Sequence, residues 1–410
     1  MKGINKWSDG EWLFILIALG ALGWWIYSSQ NTNLETYFAQ NAAVMSIDSN
    51  SWDDLALLEM DLKGKEIILT GESHGIAANM ELELKFLKYL KEKTPLKYYL
   101  CETSYSSAQY INEYLSTGEE AILEKLYQSM KGTYYYTEDS YKRWIALYEY
   151  NQTLELEDRI QVVGLDIEHQ GDIATEYLKE LLPTEVAPEA ISEKIKLIGT
   201  ADELSREVAE DLAQDLVANE ASYKAYLGER YFDFAMVCNN ITYAYEAYDE
   251  NSHFNVVRDM RIYENFKAIY EILPHGVYYG QWGINHIFQK EQNNTKWFAS
   301  YLEDKGFEDK ILSIAYVYKD CQVMTKGAKD AYGKKHFTSL SDNYNLLKGL
   351  PANENLLLRL TGEDSPFDKK LIWPISYQSG GDTPTNGVTT DYFQYLVVIR
   401  GSDSTEPLNE

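Results

Sequence analysis

Short runs of apolar, β-branched and aromatic residues recur along the chain, and longer stretches with helical periodicity separate them. This alternation is typical of βαβ units, in which a helix crosses back over a parallel sheet. The first crossover is the clearest, because Met80, Leu84 and Leu87 repeat at helical spacing after the first run. The pattern predicts an α/β fold with a mainly parallel central sheet flanked by helices, with strands at Glu66–Thr70, Lys97–Cys101, Ile160–Leu165, Val277–Trp282, Ile311–Tyr318 and Tyr392–Arg400.

Two segments interrupt the alternation. Between Glu185 and Arg230 the sequence is helical and acidic, with 11 Asp and Glu residues against 5 Lys and Arg. We therefore expect a single α/β domain over residues 31–410 with a helical insertion at about 185–255. The stretch after Tyr332 has an irregular pattern, and we expect it to line the edge of the sheet before a final strand.

An uninterrupted apolar run of 16 residues, Trp12–Tyr27, lies near the N-terminus. As a helix it would be about 24 Å long, somewhat short of the ~30 Å hydrocarbon core of a bilayer. Lys2 and Lys6 precede the run, and no basic residue follows it until Lys63. By the positive-inside rule, this places the rest of the chain outside the cytoplasm.

Residues 1–30 are therefore expected to form an N-terminal transmembrane helix that anchors the protein to the cell membrane. A cleaved signal segment is one alternative, and it would make the protein secreted or periplasmic. A buried core helix is the other. In the anchored form, the C-terminal domain is extracytoplasmic.

The composition narrows the possible functions. The chain has 64 Asp and Glu against 37 Lys and Arg, a formal net charge of −27, which excludes a nucleic-acid binder that works by neutralising phosphates. The three cysteines, Cys101, Cys238 and Cys321, lack the spacing of a metal knuckle or a disulfide framework. We therefore expect a globular protein that acts on a small molecule, and its oligomeric state stays open.

Polar side chains follow the predicted strands at the points where the strands end. Ligands of open parallel sheets bind beyond the carboxyl ends of the strands, so these residues are expected to form one site. Buried carboxylates and imidazoles are costly unless they pair, and these would pair with one another. They are Glu72, Ser73 and His74 after the first strand, Glu102 after the second, Asp166, Glu168 and His169 after the third, and Asn285 and His286 after the fourth.

Two arginines on a later helix are candidates for positive charge at this edge. Arg258 and Arg261 lie three residues apart within a helix predicted over Phe254–Leu273. One of them could clamp a carboxylate or an oxyanion. A surface ion pair with Asp259 or Glu264 is the alternative, and spacing alone does not decide between them.

The segment Gly71–Gly75 permits a serine-nucleophile hypothesis. It matches G-x-S-x-G and is expected to lie between a strand and a helix, as in a nucleophile elbow. Ser73 would be the nucleophile, and Asp166 and His286 would complete the triad. Only about 40 residues separate the apolar run from this motif, too few for the strands that normally precede an elbow, so we favour another interpretation.

That interpretation makes His74 the reactive residue, and it rests on short motifs in a fixed order. They are Gly71-Glu72-Ser73-His74, Glu102, Gly164-Leu165-Asp166, Arg258-Asp259 and Gly283-Ile284-Asn285-His286-Ile287. Together they span residues 66–288 and resemble the erythromycin-esterase superfamily with its ChaN-like and TraB/Tiki relatives. One feature differs. The esterases have two residues between Glu and His, whereas this chain has only Ser73, as in the ChaN-like and Tiki-like form.

The resemblance implies an extracytoplasmic hydrolase in which a histidine activates water against an ester or lactone, with no metal or other cofactor. At the matching positions, His74 would be the general base, and Glu72 would orient it. Glu102, Arg258 and His286 would complete the pocket. The remaining candidates would bind substrate or support these groups: Ser73, Asp166, Glu168, His169, Arg261 and Asn285.

The other relatives imply different functions. A Tiki-like peptidase would hold a divalent metal with His74, Glu102 and His286, a plausible ligand set for a first-row metal. A ChaN-like protein would bind haem in the same cleft, although no haem-ligand motif can be mapped onto this sequence.

Overall fold

The computed structural model describes residues 34–249, 253–327, 331–343, 345–376 and 383–408. Within them lie an eight-stranded sheet and a separate two-stranded hairpin. The strands are β1 (Ala42–Met45), β2 (Ile67–Glu72), β3 (Leu96–Ser104), β4 (Gln161–Asp166), β5 (Val277–Gly283), β6 (Ile311–Lys319), β7 (Cys321–Lys326), β8 (Tyr332–Phe337), β9 (Asn355–Arg359) and β10 (Tyr395–Arg400).

The large sheet has the strand order β1-β9-β10-β6-β2-β5-β3-β4. The six strands from β10 to β4 are mutually parallel, while β9 is antiparallel to both of its neighbours. All six strands predicted from the sequence are present, and they are these six parallel strands. The prediction of an α/β fold with a mainly parallel sheet flanked by helices is therefore confirmed.

Helices occupy the crossovers between the parallel strands. The first crossover helix has the predicted position, and four helices, α7 to α10, lie where the sequence predicts a helical insertion. The helices are α1 (residues 34–41), α2 (Ala78–Lys93), α3 (Tyr105–Thr117), α4 (Glu120–Ser129), α5 (Glu138–Gln152), α6 (Gly171–Leu181), α7 (Ser192–Thr200), α8 (Arg206–Ala218), α9 (Glu220–Leu227), α10 (Tyr231–Ala247), α11 (Phe254–Tyr270) and α12 (Phe298–Leu302).

Apolar side chains cover both faces of the sheet. On β2, Ile67 and Leu69 contribute to one core and Ile68 to the other, and all three are fully buried. A parallel strand that is buried on both faces has a continuous apolar run rather than an alternating one. The central strands are therefore the easiest part of this fold to recognise in the sequence.

The stretch after Tyr332 contains more regular structure than its pattern predicts. β8 pairs with β7 in an antiparallel hairpin, and β9 inserts between β1 and β10 at the edge of the large sheet. These strands were missed because β8 is largely exposed and polar, while β1 and β9 have only four and five residues.

No helix in the described part of the chain is long and apolar enough to cross a membrane. The apolar run Trp12–Tyr27, and with it the expected anchor, lies outside the described residues.

The close approach of β4 to β3 depends on Gly164. A Cβ atom at this position would lie 2.2 Å from the backbone oxygen of Ser104, which cannot move without disturbing β3. We expect Gly164→Ala to reduce the free energy of unfolding by about 2 to 3 kcal/mol, measured by urea denaturation. The matched control is Gly199→Ala in α7, where nothing lies within 4 Å, and it should stabilise the protein by about 0.5 to 1 kcal/mol. Equal effects would contradict this packing argument.

Candidate active site

Four neighbouring parallel strands bring the predicted polar residues to one edge of the sheet. In the order β2-β5-β3-β4, the carboxyl ends carry Glu72, Gly283, Glu102 and Asp166. Parallel strands end at the same edge, so these residues become neighbours although they are up to 211 positions apart in the sequence, from Glu72 to Gly283.

Arg258 lies at the centre of this edge. Its Nη2 donates to Glu102 Oε1 at 2.7 Å, and its Nε donates to Asp166 Oδ1 at 2.9 Å. Glu102 Oε2 also accepts from the backbone N–H of Gly283 at 2.7 Å. Helix α11 supplies the arginine and β3 and β4 supply the two carboxylates, so one guanidinium connects three elements.

His286 joins the same cluster from the turn after β5. Its Nδ1 is 2.7 Å from Asp259 Oδ1, and its Nε2 is 3.3 Å from Arg258 Nη1 and 3.5 Å from Glu102 Oε1. The same Asp259 oxygen accepts from the backbone N–H of Phe298 at 2.7 Å. Both ring nitrogens of His286 therefore face buried, charged partners.

His74 and Glu72 form a hydrogen-bonded pair beside this cluster. His74 Nδ1 contacts Glu72 Oε1, while Asn79 Nδ2 donates to the other Glu72 oxygen. Tyr318 holds Asn79 in place, because its hydroxyl donates to Asn79 Oδ1 at 2.8 Å and accepts from the Ser73 N–H at 3.0 Å. The His74 side chain is 34% exposed and that of Glu72 only 4%. The imidazole is therefore partly open to solvent, while the carboxylate that holds it is buried.

The charges of the cluster shift the proton affinities of its members. Burial lowers the pKa of His74, but the Glu72 carboxylate more than compensates and raises this pKa to about 9. Burial raises the pKa of Glu102, but His286 and Arg258 lower it to about 2. Arg258 and His169 likewise outweigh burial and hold the pKa of Asp166 below its ordinary value. At neutral pH the two carboxylates are ionised.

Gly283 separates the two imidazoles. A Cβ atom at this position would lie 3.4 Å from His286 Cδ2 and 3.5 Å from His74 Cε1. The absence of a side chain therefore leaves the space between the rings open, at the end of β5. This space is large enough for a small group that touches both histidines.

Three further predicted residues lie at the margins of the cluster. His169 Nε2 is 3.1 Å from Asp166 Oδ2, and its Nδ1 is 2.8 Å from the Tyr248 hydroxyl. Ser73 contributes its backbone N–H to Tyr318, and Asn285 precedes His286 in the turn after β5. Their supporting roles stay predictions from the sequence.

Glu168 and Arg261 are not brought to the cluster. Glu168 accepts from the backbone N–H and the hydroxyl of Ser106 at the start of α3, and burial raises its pKa to about 7. Arg261 pairs with Glu246 and Glu264 on the outside of α11. Of the two alternatives predicted from the sequence, Arg261 therefore forms the surface ion pair, and Arg258 is the arginine that clamps carboxylates.

The serine triad is not assembled. The carboxylate that contacts His286 is Asp259, whereas Asp166 contacts Arg258, His169 and the Ile167 N–H. In a triad, the acid must contact the histidine that activates the serine. The proposed pairing of Asp166 with His286 is therefore wrong.

The predicted metal ligands also have other partners. Glu102 and the Nε2 of His286 both face the Arg258 guanidinium, which lies where a divalent cation would need to be. Among the described residues, no group of three or more His, Cys, Asp or Glu side chains is placed to hold a metal ion. The set of His74, Glu102 and His286 therefore does not fit a metal.

Asn79 and Tyr318 were not predicted as site residues from the sequence, and neither was the pairing of Asp259 with His286. Asn79 lies in the first turn of α2, and residues in the first turn of a crossover helix face the edge where the strand ended. That position was the available signal. Tyr318 carried none, because it resembles the other buried aromatic residues of β6.

Two cavities adjoin the cluster. The inner cavity, of about 260 Å³, is lined by Glu102, Asp166, His169 and Arg258 together with apolar residues such as Trp144. The hairpin cavity, of about 410 Å³, is lined by Ser73, His74, Tyr134, Ile284, Val323, Met324, Thr325, Lys335, Phe337, Ser339, Ile375 and Ser376. A larger polar cavity of about 890 Å³ contains none of the predicted site residues.

Tyr134 and Tyr135 show how the two cavities are related. Tyr134 lines the hairpin cavity and its neighbour Tyr135 lines the inner cavity, so the segment that carries them lies between the two. Both rings also lie near the His74 imidazole, with centroid separations of 6.3 Å and 5.5 Å. His74 is therefore placed at the boundary between the cavities.

Solved structures of several proteins share this fold. A Bacillus cereus protein superimposes with a TM-score of 0.72 at 16% identity, covering 93% of this chain and 99% of the other. A succinoglycan biosynthesis protein gives 0.71 at 14% identity, with the same coverage. The erythromycin esterase EreC, as a histidine-to-asparagine mutant in its open conformation, gives 0.67 at 12% identity, covering 90% and 99%.

These comparisons confirm the predicted resemblance to erythromycin esterases at the level of the fold. No protein-family profile and no curated protein sequence matches the chain. At identities of 12 to 16%, the structures define a fold shared with an esterase and do not define a substrate.

The charge balance around Arg258 gives a stability prediction. Arg258→Gln leaves Glu102 and Asp166 buried without their cation, so we expect a loss of about 3 to 5 kcal/mol in the free energy of unfolding at pH 7. The pKa of Glu102 would rise in this variant. Its destabilisation should therefore shrink as the pH falls towards about 4.5, where the carboxylate takes up a proton.

Urea denaturation at pH 7 and at lower pH measures this effect. Arg261→Gln is the matched control on the same helix, because its partners Glu246 and Glu264 are at the surface. It should cost less than about 1 kcal/mol at either pH. A similar cost for both variants would contradict the central role of Arg258.

Proposed function

We propose that this protein is a hydrolase in which His74 activates a water molecule against an ester or lactone. The observation that carries this proposal is the pairing of His74 with Glu72 at the boundary of two cavities, beside the buried cluster of Glu102, Arg258 and His286. A partly exposed imidazole that is held by a buried carboxylate is suited to move a proton. The fold shared with an erythromycin esterase supports the same conclusion.

The mechanism follows from the ring positions. The Nδ1 of His74 binds Glu72, which leaves Nε2 to accept a proton from water. The hydroxide equivalent attacks the carbonyl carbon, and negative charge develops on the carbonyl oxygen. The Arg258 guanidinium and the His286 imidazole are the groups positioned to stabilise that charge. The protonated His74 then returns its proton to the leaving alcohol, so no covalent intermediate is needed.

The elevated pKa of His74 sets the pH range of this chemistry. At a pKa of about 9, most molecules carry a protonated His74 at neutral pH and only the neutral minority can act as a base. The rate should therefore rise with pH until that pKa is reached. The Glu72 carboxylate sets both the orientation of the base and its strength.

Three alternative functions have less support. A metal peptidase needs a ligand set that is already engaged with Arg258, and a serine esterase needs a triad that is not assembled. A haem-binding role, as in ChaN-like relatives, stays a prediction from the sequence resemblance. None of these is favoured by a contact in the cluster.

The proposal keeps the N-terminal membrane anchor and the extracytoplasmic location, and both rest on the sequence alone. The apolar run and the distribution of basic residues around it support them. The substrate would then be a small molecule that the domain meets outside the cytoplasm.

Removing the imidazole tests the proposal directly. His74→Ala should lower kcat/KM by about a hundredfold to ten-thousandfold on any substrate found in a panel of esters and lactones, because the water loses its base. Ser73→Ala in the full chain is the matched control and should retain most of the activity. Both variants are measured with and without a chelator, which should have no effect.

Other results of this experiment would support a different mechanism. Loss of activity in Ser73→Ala alone would support a serine nucleophile, and sensitivity to the chelator would support a metal site. Hydrolysis by His74→Ala at the wild-type rate would contradict the proposed mechanism.

The pH dependence tests the role of Glu72. Glu72→Gln removes the charge that raises the pKa of His74, so this pKa should fall from about 9 towards the ordinary value for histidine. The rising limb of the profile of kcat/KM against pH should move to lower pH. The maximal rate should fall as well, because the ring loses its orientation. The control is Glu66→Gln, just before the opposite end of β2, where Glu66 pairs with Lys310 at the surface. If the rising limb of the pH profile does not move in Glu72→Gln, Glu72 does not set the pKa of His74.

A further inference from the structure

The β7–β8 hairpin packs closely on the loop that carries His74. The backbone N–H of Met324 donates to the Gly75 oxygen at 2.8 Å. Gly75 has a φ of +86°, and a Cβ atom there would lie 3.0 Å from the Met324 oxygen. Only glycine combines this backbone conformation with this contact at little cost. The hairpin is therefore a fixed wall beside His74.

The register of the hairpin determines which residues form that wall. Val323 pairs with Lys335 and Cys321 pairs with Phe337, and side chains of a strand alternate between its two faces. Val323, Lys335 and Phe337 share one face of the hairpin and line the hairpin cavity together with His74, and Met324 and Thr325 of β7 also contribute to the lining. Lys334 has the opposite orientation and contacts Glu406.

The charges on the described residues that line the hairpin cavity have one sign. Lys335 is cationic, His74 is the only other titratable base, and none of the described lining residues is an aspartate or glutamate. The inner cavity differs, because Glu102 and Asp166 both line it. In a chain with a net charge of −27, a cavity whose described lining contains a lysine and a histidine but no carboxylate is an unusual environment. Glu72 contacts the Nδ1 of His74 and does not itself line the cavity.

The rest of the lining suits a compact organic group. Val323, Met324, Phe337 and Ile375 supply apolar surface, and a volume of about 410 Å³ lies within the range of small-molecule sites. An anion that entered the inner cavity would meet Arg258, but also the two buried carboxylates with which Arg258 is already paired. The described lining of the hairpin cavity instead offers the solvent-exposed Lys335 and several apolar side chains.

We propose that the hairpin cavity binds the carboxylate-bearing part of the substrate, and that Lys335 determines this preference. The inference rests on the proposed function, since the substrate is the ester that His74 attacks. It adds a class of substrate, namely esters that carry a carboxylate on the part that occupies the hairpin cavity. Lys335 is a specificity residue here and takes no part in proton transfer.

Hydrolysis of two matched probes tests the inference. 4-Acetoxybenzoate carries a carboxylate and 4-acetoxybenzamide is its uncharged counterpart of similar shape. The full-length wild-type protein should prefer the carboxylate about fivefold in kcat/KM, mainly through KM. Added salt should reduce the preference because it screens the ion pair. Lys335→Gln should bring the ratio close to one, whereas the matched control Lys334→Gln should keep the wild-type ratio.

A binding measurement separates this inference from the proposed function. Calorimetry with 4-acetamidobenzoate and 4-acetamidobenzamide, which contain an amide in place of the ester, does not depend on hydrolysis. Tighter binding of the carboxylate that is lost in Lys335→Gln and kept in Lys334→Gln would support the inference, even if neither ester were hydrolysed. That combination would contradict only the hydrolase proposal. Equal binding of the two probes, or no binding of the carboxylate at millimolar concentration, would overturn the inference.

Discussion

The guanidinium of Arg258 is the group on which the arrangement at the carboxyl edge depends. Glu102 and Asp166 are buried there as ionised carboxylates, and buried charges are tolerated only when they are paired and hydrogen-bonded. Arg258 satisfies both carboxylates at once and also contacts His286. Because the arginine lies on α11, the last helix between β4 and β5, this charge balance ties the end of that helical segment to the sheet.

The need to pair buried charges also distinguishes His286 from His74. His286 is buried beside Asp259, Glu102 and Arg258, and the two carboxylates raise its pKa despite the opposing effects of burial and of the Arg258 charge. His74 has one fixed partner, Glu72, and an open side. A group that must exchange protons with a substrate needs such access, whereas a group that stabilises charge needs a fixed position. His286 and its charged partners are thus fixed in position, whereas His74 has the access to solvent that proton transfer requires.

The fold and much of the site could be predicted because parallel strands end at a common edge. A buried parallel strand has a recognisable apolar run, and the residue after it is placed by the strand itself, as for Glu72 and Asp166. Helical spacing was less informative for the arginines. Arg258 and Arg261 are three residues apart, which leaves them about 60° apart around the helix, so the sequence could not tell which one faces the sheet.

Other features depend on contacts that no local pattern encodes. Asp259 lies beside Arg258 in the sequence but pairs with His286, and that pairing follows from how α11 lies against the turn after β5. The hairpin was missed for a related reason. Its second strand, β8, is mostly exposed and polar, and its only clear signal is the alternation that places Lys335 and Lys334 on opposite faces.

These differences separate the frame of the site from the walls around it. The parallel sheet and the Arg258 cluster fix the edge at which the proposed hydrolysis would take place. The hairpin and the segment between α4 and α5 supply the walls around it, and they come from parts of the chain that the sheet does not constrain. Sequence can change in those walls at little cost to the core. A shared fold at 12 to 16% identity therefore leaves the composition of these walls open, and Lys335, which lines the hairpin cavity together with His74, is the residue through which the proposed substrate preference would arise.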